Sequence, residues 1–492
     1  MSKILSIDQS TSATKAVLFD FEGRVLDRAS REHRQIYPKP GWVEHDAEEI
    51  WQNVLTVIRE VTERQQGKLA ELSCLSLTNQ RETIVVFDRR SGRPLHNAVV
   101  WQCRRGDALC EKLRADGHDE LVRNKTGLKI DTYFSASKLA WLVAEKPELA
   151  AKLKSGEAVV GTIDAYLIHR LTRGKVFATD YTNASRTLLF DIGTLQWDKE
   201  LCDLFNVPLQ ALPEAKEGSS RFAETDAQGI FGNQVPICGV MGDSQASLFA
   251  QRCYRPGMGK ATFGTGTSVL LNVGNKVPRA QHGAVIALAW VWQGVPTYAL
   301  EGLINFSAAT ITWLKDQLGL IQSAKDVESL AASVPDNGGV YFIPAFAGLS
   351  APHWSPDARA AMIGLTAFSR REHIVRAAEE SIAYQIRDVL EMLRTDADLK
   401  LTTLRADGGP TRDSFLMQFT ADVCGLQLEV SEVPESSAWG AAMAGLLGMR
   451  VCESMEKLAA LPMTTRTYRP QMAATDVQRF YDGWRAAVKR VL

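Results

Sequence analysis

The sequence predicts an α/β protein of two large domains, each carrying a phosphate-facing strand–turn–strand unit. Three observations predict it. The chain has 492 residues, too many for one hydrophobic core. Strand-like apolar runs alternate with amphipathic stretches at helical spacing. A strand, a hydroxyl-rich turn and a second strand occur at Ile4 to Phe19 and again at Gly259 to Gly274. Such a repeat suggests a duplication, with one hairpin per domain facing the other across a cleft.

The elements follow in order. Ile4, Leu5 and Ile7 make one apolar run and Ala16 to Phe19 the next; Asp20 to Gly23 is a turn signal, and Arg24 to Leu26 begins a third strand. Glu48 to Glu63 reads as an amphipathic helix. Leu72 to Leu77 and Thr83 to Phe87 read as strands around the polar turn Thr78 to Glu82, and Ala98 to Val100 as another. Ser137 to Glu145 is helical, with Leu139, Leu142 and Val143 on one face. Ile237 to Met241 is a buried strand ending in Gly242-Asp243, followed by a helix from Gln245. Glu372 to Leu393 is a long helix. Leu404 to Ala406 is a short strand ending in Asp407-Gly408-Gly409, with a helix from Asp413. The boundary is placed at Ala250 to Gly257, giving domains 1–250 and 251–492.

Composition narrows the function classes. Apolar residues are 45% of the chain, charged residues 23%, and net charge is -1. That balance is ordinary for a soluble protein and offers no basic excess for nucleic acid. No apolar stretch is long enough to span a bilayer. The start, MSKILSIDQ, is too short and too soon charged for a signal peptide. Eight scattered cysteines, with no C-x-x-C pair, predict free thiols and a cytoplasmic setting.

Several stretches carry chemistry. Asp8 to Lys15 reads as an eight-residue loop, longer than a hairpin needs. Its Ser10, Thr11, Ser12, Thr14 and Lys15 offer donors to phosphate oxygens, and Asp8 a carboxylate for a hydrated magnesium ion. The loop lacks glycine. Gly264-Thr265-Gly266-Thr267 permits close backbone approach and an anion-binding nest, or is simply a tight turn. Asp407-Gly408-Gly409 places amides at a helix start, where phosphates bind, or merely turns the chain. The chain contains neither G-x-x-x-x-G-K-[ST] nor G-x-G-x-x-G. Asp243 is either a helix cap or a general base at a strand's carboxyl end; Gly242 before it favours crowding by substrate. Arg81 and Glu82 either pair with each other or hold a polyhydroxylated ligand, and Trp101 is either core or an apolar wall for a carbon chain.

The strings YPKPGWVEHDAEEIW, LTNQRET, NAVVWQCRR, DYTNASRTLLFDI, PAFAGLSAPHW and ADGGPTRDSFLMQF strongly resemble the glycerol kinases of the FGGY carbohydrate kinase family. The resemblance runs from Ile4 nearly to the C-terminus. It implies two ribonuclease-H-like domains of the actin and hexokinase type around an ATP cleft, and transfer from Mg-ATP to a terminal hydroxyl of a polyol or sugar. By position it implies Asp8, with Asp243, for Mg2+; Thr11, Ser12 and Lys15 for phosphate; Thr265 and Gly266 for the second phosphate loop; and Gly408, Gly409 and Asp413 for ATP. Arg81, Glu82, Trp101 and Tyr133 match the acceptor site, and Asp243 the catalytic base. The expected partners are a small polyol or sugar and further copies of the chain, as dimer or tetramer, with no nucleic acid and no membrane.

Departures cluster at the acceptor. Where glycerol kinases carry Gly-Asp-Gln-Gln the chain has Gly242-Asp243-Ser244-Gln245, and a phenylalanine after the second phosphate loop is Ser268. Asp-Pro-Tyr-Phe-Ser becomes Asp131-Thr-Tyr-Phe-Ser135, and Asp-Gln-Gly-Thr-Thr becomes Asp8-Gln-Ser-Thr-Ser12. Ser244 and Ser268 imply an enlarged, more polar pocket suited to a four- or five-carbon polyol or ketose as an alternative to glycerol. Ser10 carries strain if its φ is positive. The arginine of the family's sugar-bisphosphate loop is absent from Gly232-Asn-Gln234, and the segment that docks a transport regulator is poorly matched at Pro470 to Gln478, so neither regulation is expected. The rival readings are an actin-like or chaperone-like ATPase and a degenerate kinase serving as a binding module; Asp8 and Asp243 together speak against the last.

Overall fold

The structure is a computed structural model that describes residues 3–65, 72–401, 403–433 and 435–492. Two large sheets dominate. The first contains β1 (Lys3–Gln9), β2 (Ala13–Asp20), β3 (Val25–Glu32), β4 (Leu72–Asn79), β5 (Arg221–Thr225) and β6 (Val235–Gly242) in the order β3-β2-β1-β4-β6-β5. The second contains β7 (Met258–Phe263), β8 (Thr267–Gly274), β9 (Val285–Trp292), β10 (Val295–Ile304), β11 (Thr403–Asp407), β12 (Leu428–Ser431) and β13 (Thr465–Tyr468) in the order β9-β10-β8-β7-β11-β12-β13.

Beyond the edge strand β9, the two orders are the same. Each begins with three antiparallel strands, continues with two parallel ones and ends on an antiparallel edge. The duplication expected from the two hairpins is therefore visible as topology. The parallel strands are buried on both faces: every residue of β1 but Lys3, and every residue of β4 but Ser73, is buried, polar ones included.

Helices cover the faces. α1 (Ala47–Arg64) starts where Asp46 accepts from the amides of Glu48 and Glu49, and it buries Ile50, Val54, Val57, Ile58 and Val61 on one stripe. α2 (Ser135–Glu145) lies under a small sheet of residues 44–45, 98–99, 84–88 and 158–162. α3 (Asp243–Ala250) follows β6, α4 (Arg371–Ala397) crosses the second sheet, and α5 (Ser414–Cys424) follows β11. α6 (Ser436–Gly448) comes from the second half of the chain but packs on β1, β4 and β6 of the first sheet. Its glycines explain the fit. A Cβ on Gly440 would lie 1.8 Å from the Ala246 carbonyl oxygen, and one on Gly448 would lie 2.0 Å from that of Ser219. Gly239, at φ +82°, meets the Ala441 carbonyl in the same way.

The first hairpin corrects the sequence reading. The eight-residue loop is a three-residue turn, Ser10 to Ser12, because Asp8 and Gln9 belong to β1 and Ala13 to Lys15 to β2. Asp8 sits directly opposite Lys15. Ser10 closes the turn through its amide (2.9 Å) and its hydroxyl (3.0 Å), both donated to the Ala13 carbonyl. Its φ is not positive, so the serine carries no strain and no glycine is needed. All eight cysteines are free. Among the described residues no helix is long and apolar enough to cross a membrane.

Candidate active site between the two hairpins

Asp8 is the last residue but one of β1, almost fully buried. Burial pushes its carboxyl up to about 7, with Lys15 pulling the other way and Glu435 and Asp243 adding to the rise. Of the hydroxyl row, Ser12 is exposed, Ser10 and Thr11 are partly exposed and Thr14 is buried. Ser10 is spent on closing the turn, and Thr14 points into the protein, its hydroxyl buried without a partner. Lys15 is not free: its Nζ lies 2.7 Å from Glu435 Oε2, just ahead of α6. Thr11 Oγ1 accepts from Trp101 Nε1 at 3.0 Å, which joins the first hairpin to the predicted acceptor wall.

The second hairpin turns at Gly264 to Gly266, with Thr265 exposed. A Cβ at Gly266 would lie 2.4 Å from the Ile304 carbonyl, so glycine is required by β10 behind it. Gly408, at φ +102°, would place a Cβ 1.9 Å from the Phe263 carbonyl, whereas Gly409 faces open space. The Asp407-Gly408-Gly409 turn thus rests on the end of β7. It does not open a helix directly: a 3-10 turn, Gly409–Arg412, intervenes, and Asp413 caps α5 by accepting from Leu416 N at 2.9 Å. The Asp413 carboxylate also lies against Glu379, whose carboxyl is pushed well up by burial and by that contact. Asp407 accepts from Ser247 Oγ of α3 at 2.8 Å, linking this turn to the helix that carries Asp243.

Between the hairpins lies a buried cluster of alternating charge. Arg81 and Glu82, at the carboxyl end of β4, are expected either to pair or to hold ligand. Their mutual contact is long, 3.9 Å, and each has a stronger partner. Arg81 Nη2 lies 2.9 Å from Glu301 Oε1, and Glu82 Oε1 lies 2.6 Å from Arg186 Nε. Arg186 Nη1 returns to Glu301 Oε2 at 2.8 Å, closing a ring of four charges. Burial pushes the Glu301 carboxyl up, but Arg186 and Arg81 overcome it and hold it at about 2. Glu82 stays raised, because burial outweighs the same two guanidinium groups.

Asp243 stands at the rim of this ring. It is the first residue of α3 and makes no capping bond. Its Oδ1 accepts from Ser244 N at 2.7 Å and lies 3.3 Å from Arg81 Nε. Gly242 is required by Arg81 rather than by substrate, since a Cβ there would lie 2.8 Å from Arg81 Cγ. Thr182 Oγ1 accepts from Gly242 N at 2.8 Å, fixing the residue before Asp243. Ser268 Oγ donates to Glu301 Oε1 at 3.2 Å, and Ser244 is partly exposed beside Asp243. Trp101 and Tyr133 meet with ring centroids 5.2 Å apart, forming one apolar wall.

The sequence reading missed Arg186, Glu301, Thr182, Glu435 and Lys260, the last donating to Thr262 Oγ1 at 2.8 Å and adding its charge to those that hold the Glu301 carboxyl down. Glu301 and Lys260 had a signal: each is a lone charge in an otherwise apolar strand, and each is fully buried. Arg186 lies in a quoted string but 104 residues from its partner Glu82, a pairing that no local pattern announces.

The N-terminal domain of the FGGY family of carbohydrate kinases matches residues 3–250, and its C-terminal domain matches residues 259–449. A glycerol kinase of Desulfitobacterium hafniense is 45% identical over 489 residues, covering 99% of each chain. Glycerol kinase 2 of Thermotoga maritima is 44% identical over 492 residues, covering 100% of this chain and 99% of its own. The crystal structure of Plasmodium falciparum glycerol kinase with ADP superposes with a TM-score of 0.94 at 36% identity, covering 100% of this chain and 98% of that one. A ligand-bound xylulose kinase of Lactobacillus acidophilus shares the fold, with a TM-score of 0.90 at 21% identity and coverage of 100% and 98%.

Proposed function

The chain belongs to the FGGY family of carbohydrate kinases, and from that premise we propose how its residues divide the work and which acceptor they fit. It is a glycerol-kinase-like enzyme that phosphorylates a small polyol with ATP. In our reading Thr11, Ser12 and Lys15 from residues 1–250, and Thr265 and Gly266 from residues 251–492, hold the phosphates. Gly408, Gly409 and Asp413 flank the adenosine. Arg81, Glu82, Trp101 and Tyr133 hold the acceptor.

Asp243 is the base. Its Oδ1 is occupied by Ser244 N and Arg81 Nε, which leaves Oδ2 to take the proton of the attacking hydroxyl. The ring of Arg81, Glu301, Arg186 and Glu82 locks the Arg81 guanidinium in place, so the aspartate is positioned before substrate arrives. Trp101 and Tyr133 exclude water from the carbon side of the acceptor.

Magnesium suits the same place. The hard ion keeps most of its waters and takes one or two carboxylates plus phosphates, rather than an all-protein cage. Asp8 and Asp243 interact electrostatically and form such a sparse set. Bound there, it would neutralise charge between the phosphate oxygens.

One observation carries the acceptor assignment. Ser268, where glycerol kinases place a ring, is a small, partly exposed side chain that donates its proton to Glu301, two ion pairs from Asp243. A four- or five-carbon polyol or ketose fills that space; glycerol underfills it. One contact surface of this kind is worth roughly 1–3 kcal/mol, or 10–200-fold in discrimination. The test is an acceptor panel run on wild type and on Ser268→Phe, read as kcat/KM from ADP release. Wild type should prefer the longer acceptor, and Ser268→Phe should shift preference toward glycerol. If wild type prefers glycerol over every longer acceptor, the pocket is merely tolerant and the assignment fails.

A further inference from the structure

At the end of β7 away from the phosphate hairpin, the chain crosses from the first sheet to the second through residues 251–257. This crossing forms one wall of a groove of about 480 Å³, within the size range of small-molecule sites. Arg252, Arg255 and Arg405 line it, and Glu456 is its one carboxylate. Trp290, Trp292 and Tyr254 form an aromatic side. Tyr254 and Trp290 pack edge to face at 5.8 Å.

The charge in this groove is unbalanced. Arg252 is only 8% exposed, yet its guanidinium donates to carbonyl oxygens alone, those of Ala459, Leu461 and Pro462. Its Nε and the Tyr254 hydroxyl are buried without partners. Arg405 is neutralised by Glu429 at 2.9 Å. Arg255 is exposed and, among the described residues, forms no ion pair; nor does Glu456 pair with any of the three. Carbonyl oxygens solvate a guanidinium but do not cancel its charge, and buried cations are ordinarily paired. An anion would balance this charge. Two guanidinium groups suit a phosphate, and the tryptophan and tyrosine rings suit a flat carbon body.

We propose that this groove is a second ligand site that takes a small organic phosphate with a flat, apolar body, the phosphate between Arg252 and Arg255 and the body against Trp290 and Trp292. The site is distinct from the transfer cleft, at the other end of a six-residue strand.

The test uses the full-length protein with ADP and magnesium saturating the cleft, and 1-naphthyl phosphate titrated by calorimetry. One molecule should bind per chain. Arg255→Glu should weaken binding at least tenfold while leaving kinase turnover unchanged, since Arg255 is exposed and outside the cleft. Neutral 1-naphthol should bind at least tenfold more weakly than the phosphate. Arg252→Met should abolish binding, but it also removes the clamp on residues 459–462, so Arg255→Glu is the deciding variant. No binding of 1-naphthyl phosphate at millimolar concentration overturns the proposal. So does equal affinity in Arg255→Glu, or equal affinity for 1-naphthol.

Discussion

Replacing Asp243 by asparagine removes its proton acceptance, and with it one of the two carboxylates proposed for magnesium, while keeping its contacts within the protein, so the comparison is made at saturating magnesium. In the wild type, Oδ1 accepts from Ser244 N at 2.7 Å and faces Arg81 Nε at 3.3 Å. An asparagine can keep both contacts with its carbonyl oxygen. Its amide then replaces Oδ2, and an amide cannot take a proton from the attacking hydroxyl. The side chain is 37% exposed, so little folding energy depends on it. At saturating magnesium the effect should therefore fall on the transition state. Loss of a general base costs roughly 10²–10⁴ in rate, or about 3–5 kcal/mol. The assay is steady-state ADP release with saturating acceptor, alongside calorimetric titration of ADP. We expect kcat to fall by that factor and the ADP affinity to change less than threefold. A kcat within a few-fold of wild type would falsify the assignment, because the oxygen left unpaired by Ser244 and Arg81 would then have no task.

Asp8→Ala should raise the magnesium concentration needed for half-maximal turnover by roughly tenfold, since one of two carboxylates is lost; an unchanged magnesium dependence rules out a metal role. Thr182→Val keeps the shape but leaves the Gly242 amide buried without its acceptor. The cost is about 1–3 kcal/mol of stability, and kcat should fall while the acceptor KM holds; a loss of stability with kcat intact would make Thr182 merely structural. Glu301→Gln tests the charge ring through pH. The Glu301 carboxyl is held at about 2, below its usual value of 4.5, so its contribution is fully present above about 4.5 and disappears as pH falls toward 2. The gap in urea stability between wild type and Glu301→Gln should reach about 3 kcal/mol near neutrality and close over that acid range. A gap that is flat from pH 5 to pH 2 means the ring does not depend on this charge.

Most of the architecture was legible because it is written locally. Strands with one pattern and helices with another, each bounded by caps or glycines, announced β1, β2, α1, β6 and α4 within a few residues. The duplication was legible for the same reason: a short local motif occurs twice. The turn at Ser10 was misread because a polar sequence looks like a loop, whereas Asp8 and Lys15 are polar residues paired across a ladder. The site was legible in part. Asp243 and Arg81 stand at strand ends, where open sheets present side chains. The ring that holds them was not, because Arg186 reaches Glu82 across 104 positions and Arg81 reaches Glu301 across 220. Only tertiary structure brings those charges together. Glu435 escaped for the same reason, 420 residues from Lys15.

The seating of α6 on the first sheet bears on how the protein is made. A ribosome that has released residues 1–250 has delivered every strand of that sheet, but not the helix that covers one of its faces. Ile4, Val17, Cys74 and Cys238 on that face pack with Ala442, Met443 and Leu446 of α6. Until residue 448 emerges, the nascent first half presents an apolar surface with a glycine-shaped vacancy and nothing of its own to fill it. The two halves are therefore finished together rather than in turn. A fragment ending at residue 250 is an unfinished object that needs its missing helix, or a chaperone in its place.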